Sequence, residues 1–331
     1  MHAQYHARIS LLILPLTLAL LLSACGGKKD ADGRKRIVIG LVAKSQSNPV
    51  FQAAYTGAKE AAKDLTQRYG TDIVVDWQTP PDEDAQKQAD AIEQLARSGV
   101  QGIAVSASDA NVVTPAINKA VELGATVVCF DSDAPKSKRF CFYGTDDLSC
   151  GRQLMDELAK VTNGSCIFAI MAGNQSAPNL QRRVDGVLEQ MKNYPGIHLL
   201  PDGVFYHSET PEQAAEAVNR AQTTNSKIQA WIFVGGWPLF TKNALKWNPG
   251  DIKVVSVDAL PAQLSYIESG HVQVLLGQSC YLWGYTAVEL ITDKILKNQS
   301  PPDERIIAPL ARITRENVKE YSSNWERWLG R

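Results

Sequence analysis

TVVCFDSDAPKSKRFCFYGTDDLSCGR, residues Thr126 to Arg152, decides how this chain is read. An apolar run from Thr126 to Phe130 ends in Asp131-Ser132-Asp133. After a short basic passage a second run, Arg139 to Tyr143, meets Gly144-Thr145-Asp146-Asp147. The order is strand, polar loop, strand and helix cap. Open α/β sheets bind ligands at the carboxyl ends of their parallel strands, so Asp131 and Asp133 are the first candidates for ligand contact. Capping of a turn is the other role open to them.

Upstream, strand and helix alternate. Ile37 to Ala43 is a continuous apolar run, as a parallel strand buried on both faces requires. Asn48-Pro49 then supplies an N-cap and a proline at the first helical position, and Phe51, Ala54, Ala58, Ala62, Leu65 and Tyr69 recur every three or four residues up to Gly70. The unit repeats with a strand at Asp72 to Trp77, a helix closing at Gly99, a strand at Gly102 to Ser106 and a helix closing at Gly124. Repeated β-α-β with right-handed crossovers gives a doubly wound parallel sheet.

Past Gly144 the alternation restarts, which marks a second lobe. A helical stripe from Leu148 to Val161 precedes a strand at Ser165 to Met171, and the next helix carries Arg182 and Arg183. A strand ends at His207, and Thr210-Pro211-Glu212-Gln213 opens a helix with a capping-box pair. Gln229 to Val234 leads to Gly235-Gly236-Trp237-Pro238 and a helix, and Ile252 to Val257 ends at Asp258. The last third re-crosses between lobes. It holds a helix at Pro261 to Ser269, a strand at Val272 to Leu276, the polar break Gly277-Gln278-Ser279, a helix from Tyr281 to Lys297, a final strand from Ile306 to Ile313 and a helical tail to Trp328.

The N-terminus stands apart. Ile9 to Leu22 is apolar but short for a membrane span, and it ends in Leu22-Ser23-Ala24-Cys25. Residues 1–24 therefore read as a signal peptide, and residues 25–36 as a solvated tether rich in glycine and charge. The remaining boundaries are 37–144 plus 279–305 for an N-terminal lobe and 145–278 plus 306–331 for a C-terminal lobe. The full chain has 34 Lys and Arg against 35 Asp and Glu. Removing the signal takes one Arg, leaving no basic excess for nucleic acid.

Five cysteines follow the tether without CxxC spacing: Cys129, Cys141, Cys150, Cys166 and Cys280. Buried small hydrophobes are their expected role, with a Cys141–Cys150 disulfide as the lesser alternative. There is no GxxxxGK[ST], no GxGxxG after the first strand, no HExxH and no complete GxSxG, so no catalytic residue, cofactor or metal ligand is assigned. What recurs is a set of polar and aromatic residues just after predicted strands or on the helix starts that face them: Lys44, Phe51, Asp131, Asp133, Arg183, Tyr206, Trp237, Asp258 and Gln278. Carboxylates, amides and a guanidinium suit hydroxyl groups, and an aromatic plate suits the apolar face of a sugar ring.

Six segments in order, SNPVF, CFDSD, YGTDDLSCGR, RRVDG, VVSVDALP and LLGQS, resemble those of the periplasmic sugar-binding proteins of bacterial ABC importers, of the ribose-binding type. The LSAC box is similar to the lipobox of bacterial lipoproteins, which implies a lipid on Cys25. The resemblance implies two Rossmann-like lobes joined by a multi-crossing hinge and a monosaccharide or similar polyol bound between them. It also implies a monomer that meets the membrane only through its lipid, at the periplasm or cell surface, with an ABC transporter permease as partner. It implies ligand contact by Asn48, Phe51, Asp131, Arg183, Asp258 and Gln278, with Tyr206 aligned less securely. Ser132, Gly236 and Lys44 depart from the arginine, asparagine and serine of ribose binders, so ribose itself is not the expected ligand. Lys44 with Asp133 is similar to the autoinducer receptors of this fold, so a furanosyl signal stays open. A chemotaxis ligand carrier and, less favoured, a secreted glycosidase stay open as well. The sugar reading places Lys44 at the rim. Expected hinges are Gly144-Thr145, Gln278-Ser279 and the passage near Arg305.

Overall fold

A computed structural model describes residues 36–175, 177–207 and 210–329. The expected signal, Cys25 and the tether up to Lys35 lie outside the described residues. The first lobe begins with β1 (Arg36–Val42), α1 (Pro49–Tyr69), β2 (Asp72–Trp77), α2 (Ala85–Arg97), β3 (Gly102–Val105), α3 (Ala110–Glu122), β4 (Thr126–Phe130) and β5 (Cys141–Gly144). There follow α4 (Asp147–Val161), β6 (Cys166–Met171), α5 (Pro178–Met191), β7 (Ile197–Phe205), α6 (Pro211–Thr224), β8 (Ala230–Phe233), β9 (Lys253–Val257), α7 (Pro261–Ser269) and β10 (Val274–Gly277). The chain closes with α8 (Cys280–Lys297), β11 (Arg305–Ile307), β12 (Ala311–Ile313), α9 (Val318–Ser322) and α10 (Asn324–Trp328).

Two six-stranded sheets share one plan. The first runs β11-β5-β4-β3-β1-β2 and the second β12-β10-β9-β8-β6-β7. The pairs are parallel except β10 with β12. The chain passes between sheets three times, at Thr145-Asp146, at Gln278-Ser279 and at Ala308–Leu310.

The third passage corrects the sequence reading. The single final strand expected over 306–313 is two short strands, β11 beside β5 in the first sheet and β12 beside β10 in the second. Periodicity could not divide them, because Ala308-Pro309-Leu310 is as apolar as its flanks. Ion pairs pin both ends, Arg305 to Asp133 at 3.3 Å and Arg312 to Glu157 at 2.8 Å. Two further expectations fail. The helix after Gly235-Gly236 is only a 3₁₀ turn at Trp237–Leu239, and Thr210 makes no side-chain cap bond at the start of α6.

Each sheet is covered on both faces. Ile37, Ile39 and Leu41 of β1 join α1 and α8 in one core, while Val42 joins Ile103, Val105 and the helices α2 and α3 in another. α1 starts as its sequence dictates, with Asn48 Oδ1 accepting from the Val50 amide at 3.1 Å and Pro49 at the first position. It ends at Gly70 in the left-handed region, φ 64°.

Small residues set the closest helix contacts, in both lobes. A Cβ on Gly284 of α8 would lie 1.8 Å from the Ala54 carbonyl oxygen of α1, and one on Gly57 2.0 Å from that of Tyr281. In the second lobe, Gly151 of α4 and Gly186 of α5 meet in the same way, at 2.0 Å from Arg183 O and 2.2 Å from Leu148 O. The obstacle is backbone, so no rotamer change relieves it. A Gly284→Val substitution is therefore expected to destabilise the protein by about 1–3 kcal/mol, the range for overpacking a close-packed interior. Urea unfolding measures it, and an unchanged midpoint would show that α1 and α8 separate freely.

Candidate functional site

A cavity of about 500 Å³ opens where the carboxyl ends of the two sheets face each other. Eight of the expected contact residues line it: Lys44, Asn48, Phe51, Asp131, Arg183, Trp237, Asp258 and Gln278. Two carboxylates anchor it. Asp131 follows β4 and Asp258 follows β9, the third strand from the same edge in each sheet. Both take left-handed backbone angles, φ 56° and 68°, which aspartate tolerates better than most residues. Strain of this kind gathers at ligand clamps.

Their partners differ. Ser106 Oγ, at the end of β3, donates to Asp131 Oδ2 at 2.7 Å. Asp258 accepts from the Gly236 amide at 3.2 Å and from Gln278 Nε2 at 2.8 Å. Burial raises the Asp258 carboxyl above its usual range, and Arg183 and Gln278 offset part of that rise. Both carboxylates keep lone pairs for ligand hydroxyls.

Arg183 is 2% exposed and held at three points. Its Nε donates to Asp147 Oδ1 at 2.9 Å, Nη1 to the Val234 carbonyl at 2.9 Å and Nη2 to Gln278 Oε1 at 3.0 Å. Burial works against its charge, yet Asp147, Asp258 and Asp131 hold its pKa above the ordinary arginine value. Burial also pushes Asp147 up to about 6, against the pull of Arg183. A guanidinium with five N–H groups still has donors to spare after these bonds.

The aromatic walls come from both lobes. Phe51, on the first turn of α1, packs against Trp283 of α8 with centroids 6.4 Å apart. Trp237 folds back over Gly235, where a Cβ would fall 1.9 Å from its ring, and meets Phe240 at 6.4 Å. Only glycine at 235 leaves room for that ring. Lys44, expected at the rim, is a buried wall residue, 7% exposed.

Two expected residues lie elsewhere. Asp133 is committed to Arg139, whose Nη2 donates at 2.9 Å, and to Arg305 of β11. It fastens the loop after β4 and does not enter the cavity. Tyr206 follows β7, the outermost strand, and lines a separate hollow of about 170 Å³ against α6. An edge strand delivers its last residue outside the cleft, and sequence alone did not reveal which strand was at the edge.

The sequence reading missed Asn174, Asn179, Thr210, Phe240, Trp283 and the pair Asp82-Glu83, which also line the cavity. Helical spacing offered one signal, since Asn179 stands four residues before Arg183 and shares its face. The five cysteines are free and buried, including Cys141 and Cys150. Among the described residues no group of three His, Cys, Asp or Glu is placed to hold a metal, and no helix is long and apolar enough to cross a membrane.

Comparison with known proteins agrees with this fold. The profile described as the periplasmic binding protein domain matches residues 39–299. The ribose import binding protein of Bacillus subtilis (strain 168) is 27% identical over 179 residues, 52% of this chain and 56% of that protein. The D-ribose/D-allose-binding protein of Pseudomonas aeruginosa is 27% identical over 187 residues, 53% of this chain and 58% of its own length. The chain thus spans little more than half the length of these two relatives. The L-arabinose-binding periplasmic protein of Escherichia coli (strain K12) is 22% identical over 311 residues, 86% of this chain and 90% of that protein. Among solved structures, an ABC transporter solute-binding protein from Burkholderia graminis C4D1M in complex with D-arabinose superposes with a TM-score of 0.79 at 24% identity. The superposition covers 86% of this chain and 97% of that one.

Gln278 joins three side chains at the cavity, accepting from Thr145 Oγ1 at 2.8 Å as well as from Arg183 and donating to Asp258. Replacing it with leucine leaves buried groups without partners, at about 1–3 kcal/mol for each such group. Gln278→Leu is expected to lower the urea midpoint of the unliganded protein clearly. A midpoint within error of the wild type would mean that water takes over its bonds.

Proposed function

From the premise that this chain belongs to the periplasmic binding protein domain family, we propose that it is a solute-binding protein that captures a small sugar between its lobes and delivers it to an ABC transporter permease. It performs no chemistry. The observation that carries the reading is the facing pair Asp131 and Asp258, buried, strained and positioned at matching strand ends beside Arg183 and an aromatic wall. Carboxylates that accept from hydroxyls, a guanidinium that donates to them and rings that cover apolar faces are what a polyol requires.

The ligand would work by favouring closure. Three short passages absorb the change of dihedral angle while the sheets stay rigid, and contacts made by both lobes stabilise the closed form by their differential affinity. Lipid on Cys25 would hold the protein at the membrane beside its permease, in the periplasm or at the cell surface. Two of the three relatives compared are named for ribose and the other for arabinose, which directs the first screen to pentoses and their relatives.

The autoinducer-like reading asks Lys44 and Asp133 to recognise the ligand together. The engagement of Asp133 with Arg139 and Arg305 weighs against it, whereas burial of Lys44 in the wall keeps the lysine itself in play.

A thermal-shift screen across D-ribose, D-allose, L-arabinose, D-arabinose and furanosyl signalling compounds tests the function. A ligand at about 100 times its Kd should add about 2.7 kcal/mol of stability. With the sugar so found, Asp131→Ala and Arg183→Ala are expected to raise Kd a hundredfold or more, about 2.8 kcal/mol at 1.4 per tenfold step. Asp133→Ala should leave Kd nearly unchanged. If Asp133→Ala and Lys44→Ala abolish binding while Arg183→Ala is neutral, the furanosyl signal is the better reading.

The anchor has its own test. The wild type is expected in the membrane fraction of cells and a Cys25→Ser variant outside it. Identical fractionation of the two would remove the lipid from the proposal.

A further inference from the structure

Gln88, on the first turn of α2, and Gln263, on the first turn of α7, are both 0% exposed. Each closes a stretch of backbone beside one of the cavity carboxylates. Gln88 Nε2 donates to the carbonyls of Ala43 at 2.7 Å and Ser106 at 2.8 Å, and its Oε1 accepts from the Ser108 amide at 2.8 Å. Gln263 Nε2 donates to the Val257 carbonyl at 3.0 Å, and its Oε1 accepts from the Leu260 amide at 2.9 Å. β1, β3 and β9 end at these points. Backbone groups that leave a sheet ladder inside the protein need other partners, and a carboxamide offers a donor and an acceptor in one group.

The segments held in this way position Asp131 and Asp258. From the stretch that Gln88 closes, Ser106 Oγ donates to Asp131 Oδ2 at 2.7 Å and the Ala107 amide donates to the Ser132 carbonyl at 3.1 Å. Between the two groups that Gln263 joins lies Asp258 itself. Gly236, whose amide donates to Asp258, also meets this glutamine, since a Cβ on Gly236 would lie 2.9 Å from Gln263 Nε2. Both aspartates hold left-handed backbone angles, φ 56° and 68°. Such angles cost free energy and persist only where the surroundings over-determine them. Gln88 supplies that constraint through Ser106 and Ala107, and Gln263 supplies it on either side of Asp258.

The same chemistry recurs just before β3 and β10, away from the cavity. Gln101 Oε1 accepts from the Val38 amide at 2.8 Å and its Nε2 donates to the Gly99 carbonyl at 2.9 Å. Gln273 Oε1 accepts from the Val254 amide at 2.7 Å and its Nε2 donates to the Gly270 carbonyl at 2.9 Å. These two amides fasten the amino ends of strands and hold no cavity residue.

We propose that Gln88 and Gln263 are positioning residues for ligand binding, which touch no ligand and set Asp131 and Asp258 in place before one arrives. The inference rests on the sugar-binding reading and deepens it. Polar groups fixed in advance gain affinity, because the ligand does not have to order them. A glutamine that only caps a helix or fills a core loses stability when altered and leaves affinity alone. A positioning glutamine loses both.

The probe is whichever of D-ribose, D-allose, L-arabinose and D-arabinose shifts the wild-type melting temperature most, titrated by calorimetry at a temperature where every variant is folded. Gln88→Met and Gln263→Met keep the length of the side chain and lose its bonds, and Gln101→Met and Gln273→Met do the same at the amino ends of the strands. All four are expected to melt below the wild type. The first two are expected to raise Kd tenfold or more, the other two to stay within twofold of the wild type. Gln88→Met combined with Ser106→Ala should bind no more weakly than the weaker of the two single variants, because both break one route. Should a methionine variant at either site fail to fold, Gln88→Glu or Gln263→Glu, which keeps the acceptor and loses the amide donor, is read in its place. A Kd within twofold of the wild type removes that glutamine from the inference, and additive losses in the double variant remove the route through Ser106. Equal weakening by Gln101→Met or Gln273→Met would show a general loosening of the lobe and overturn the proposal. If the wild type binds none of the four sugars, the sugar reading and this inference fall together. If Asp131→Ala raises Kd while the variants of Gln88 and Gln263 leave it unchanged, only the inference falls.

Discussion

One side-chain amide joins the two lobes to the cavity between them. Gln278 sits in the second passage between the sheets, and its Oε1 accepts from Thr145 of the first passage and from Arg183 of α5, while its Nε2 donates to Asp258 after β9. The first two passages and the cavity residues Arg183 and Asp258 of the second lobe are therefore parts of one hydrogen-bonded unit. In a buried network each group depends on the others for its partner, so a change at Arg183 or Asp258 reaches bonds that span the crossings.

The lobes are alike in more than strand order. Each ends its third strand from the edge in a left-handed aspartate, and each packs its principal helix pair through facing glycines. The third passage is fastened to both lobes by ion pairs, Arg305 with Asp133 and Arg312 with Glu157. Asp133 thereby gains a role that its place in the Asp-Ser-Asp loop concealed. It ties the loop bearing Asp131 to β11, the strand that leads into the third passage, and so steadies a cavity residue from behind.

Much of this was legible in the sequence, for identifiable reasons. Buried parallel strands leave continuous apolar runs, and the caps Asn48-Pro49 and Gly70 mark α1 without ambiguity. A cavity at strand ends and at the helices that face them follows from the fold class, so Asp131, Arg183, Asp258 and Gln278 could be named as its candidates before any coordinates. The rest depended on facts that local pattern does not carry. Tyr206 looked like its neighbours until strand order put β7 at the edge. Of Ala308-Pro309-Leu310 only Ala308 is buried, yet all three are apolar, and an apolar crossing between apolar strands has no punctuation. Lys44 read as a rim residue because lysine is seldom buried, and here it is. Trp283 went unnoticed because its ring is core, and only its place in the cavity lining sets it apart.

The five buried cysteines bear on how long this protein lasts as well as on how it packs. Burial pushes the thiols of Cys129, Cys141 and Cys150 up to about 12, so in the folded protein they are held as unreactive thiols. In an oxidising compartment the same five groups become a hazard once the chain opens, because an odd set without native partners can pair only wrongly or with another molecule. Every opening of a lobe is then an opportunity for an irreversible error. The quantity that protects such a chain is the height of its unfolding barrier, and its working lifetime is a rate before it is an equilibrium.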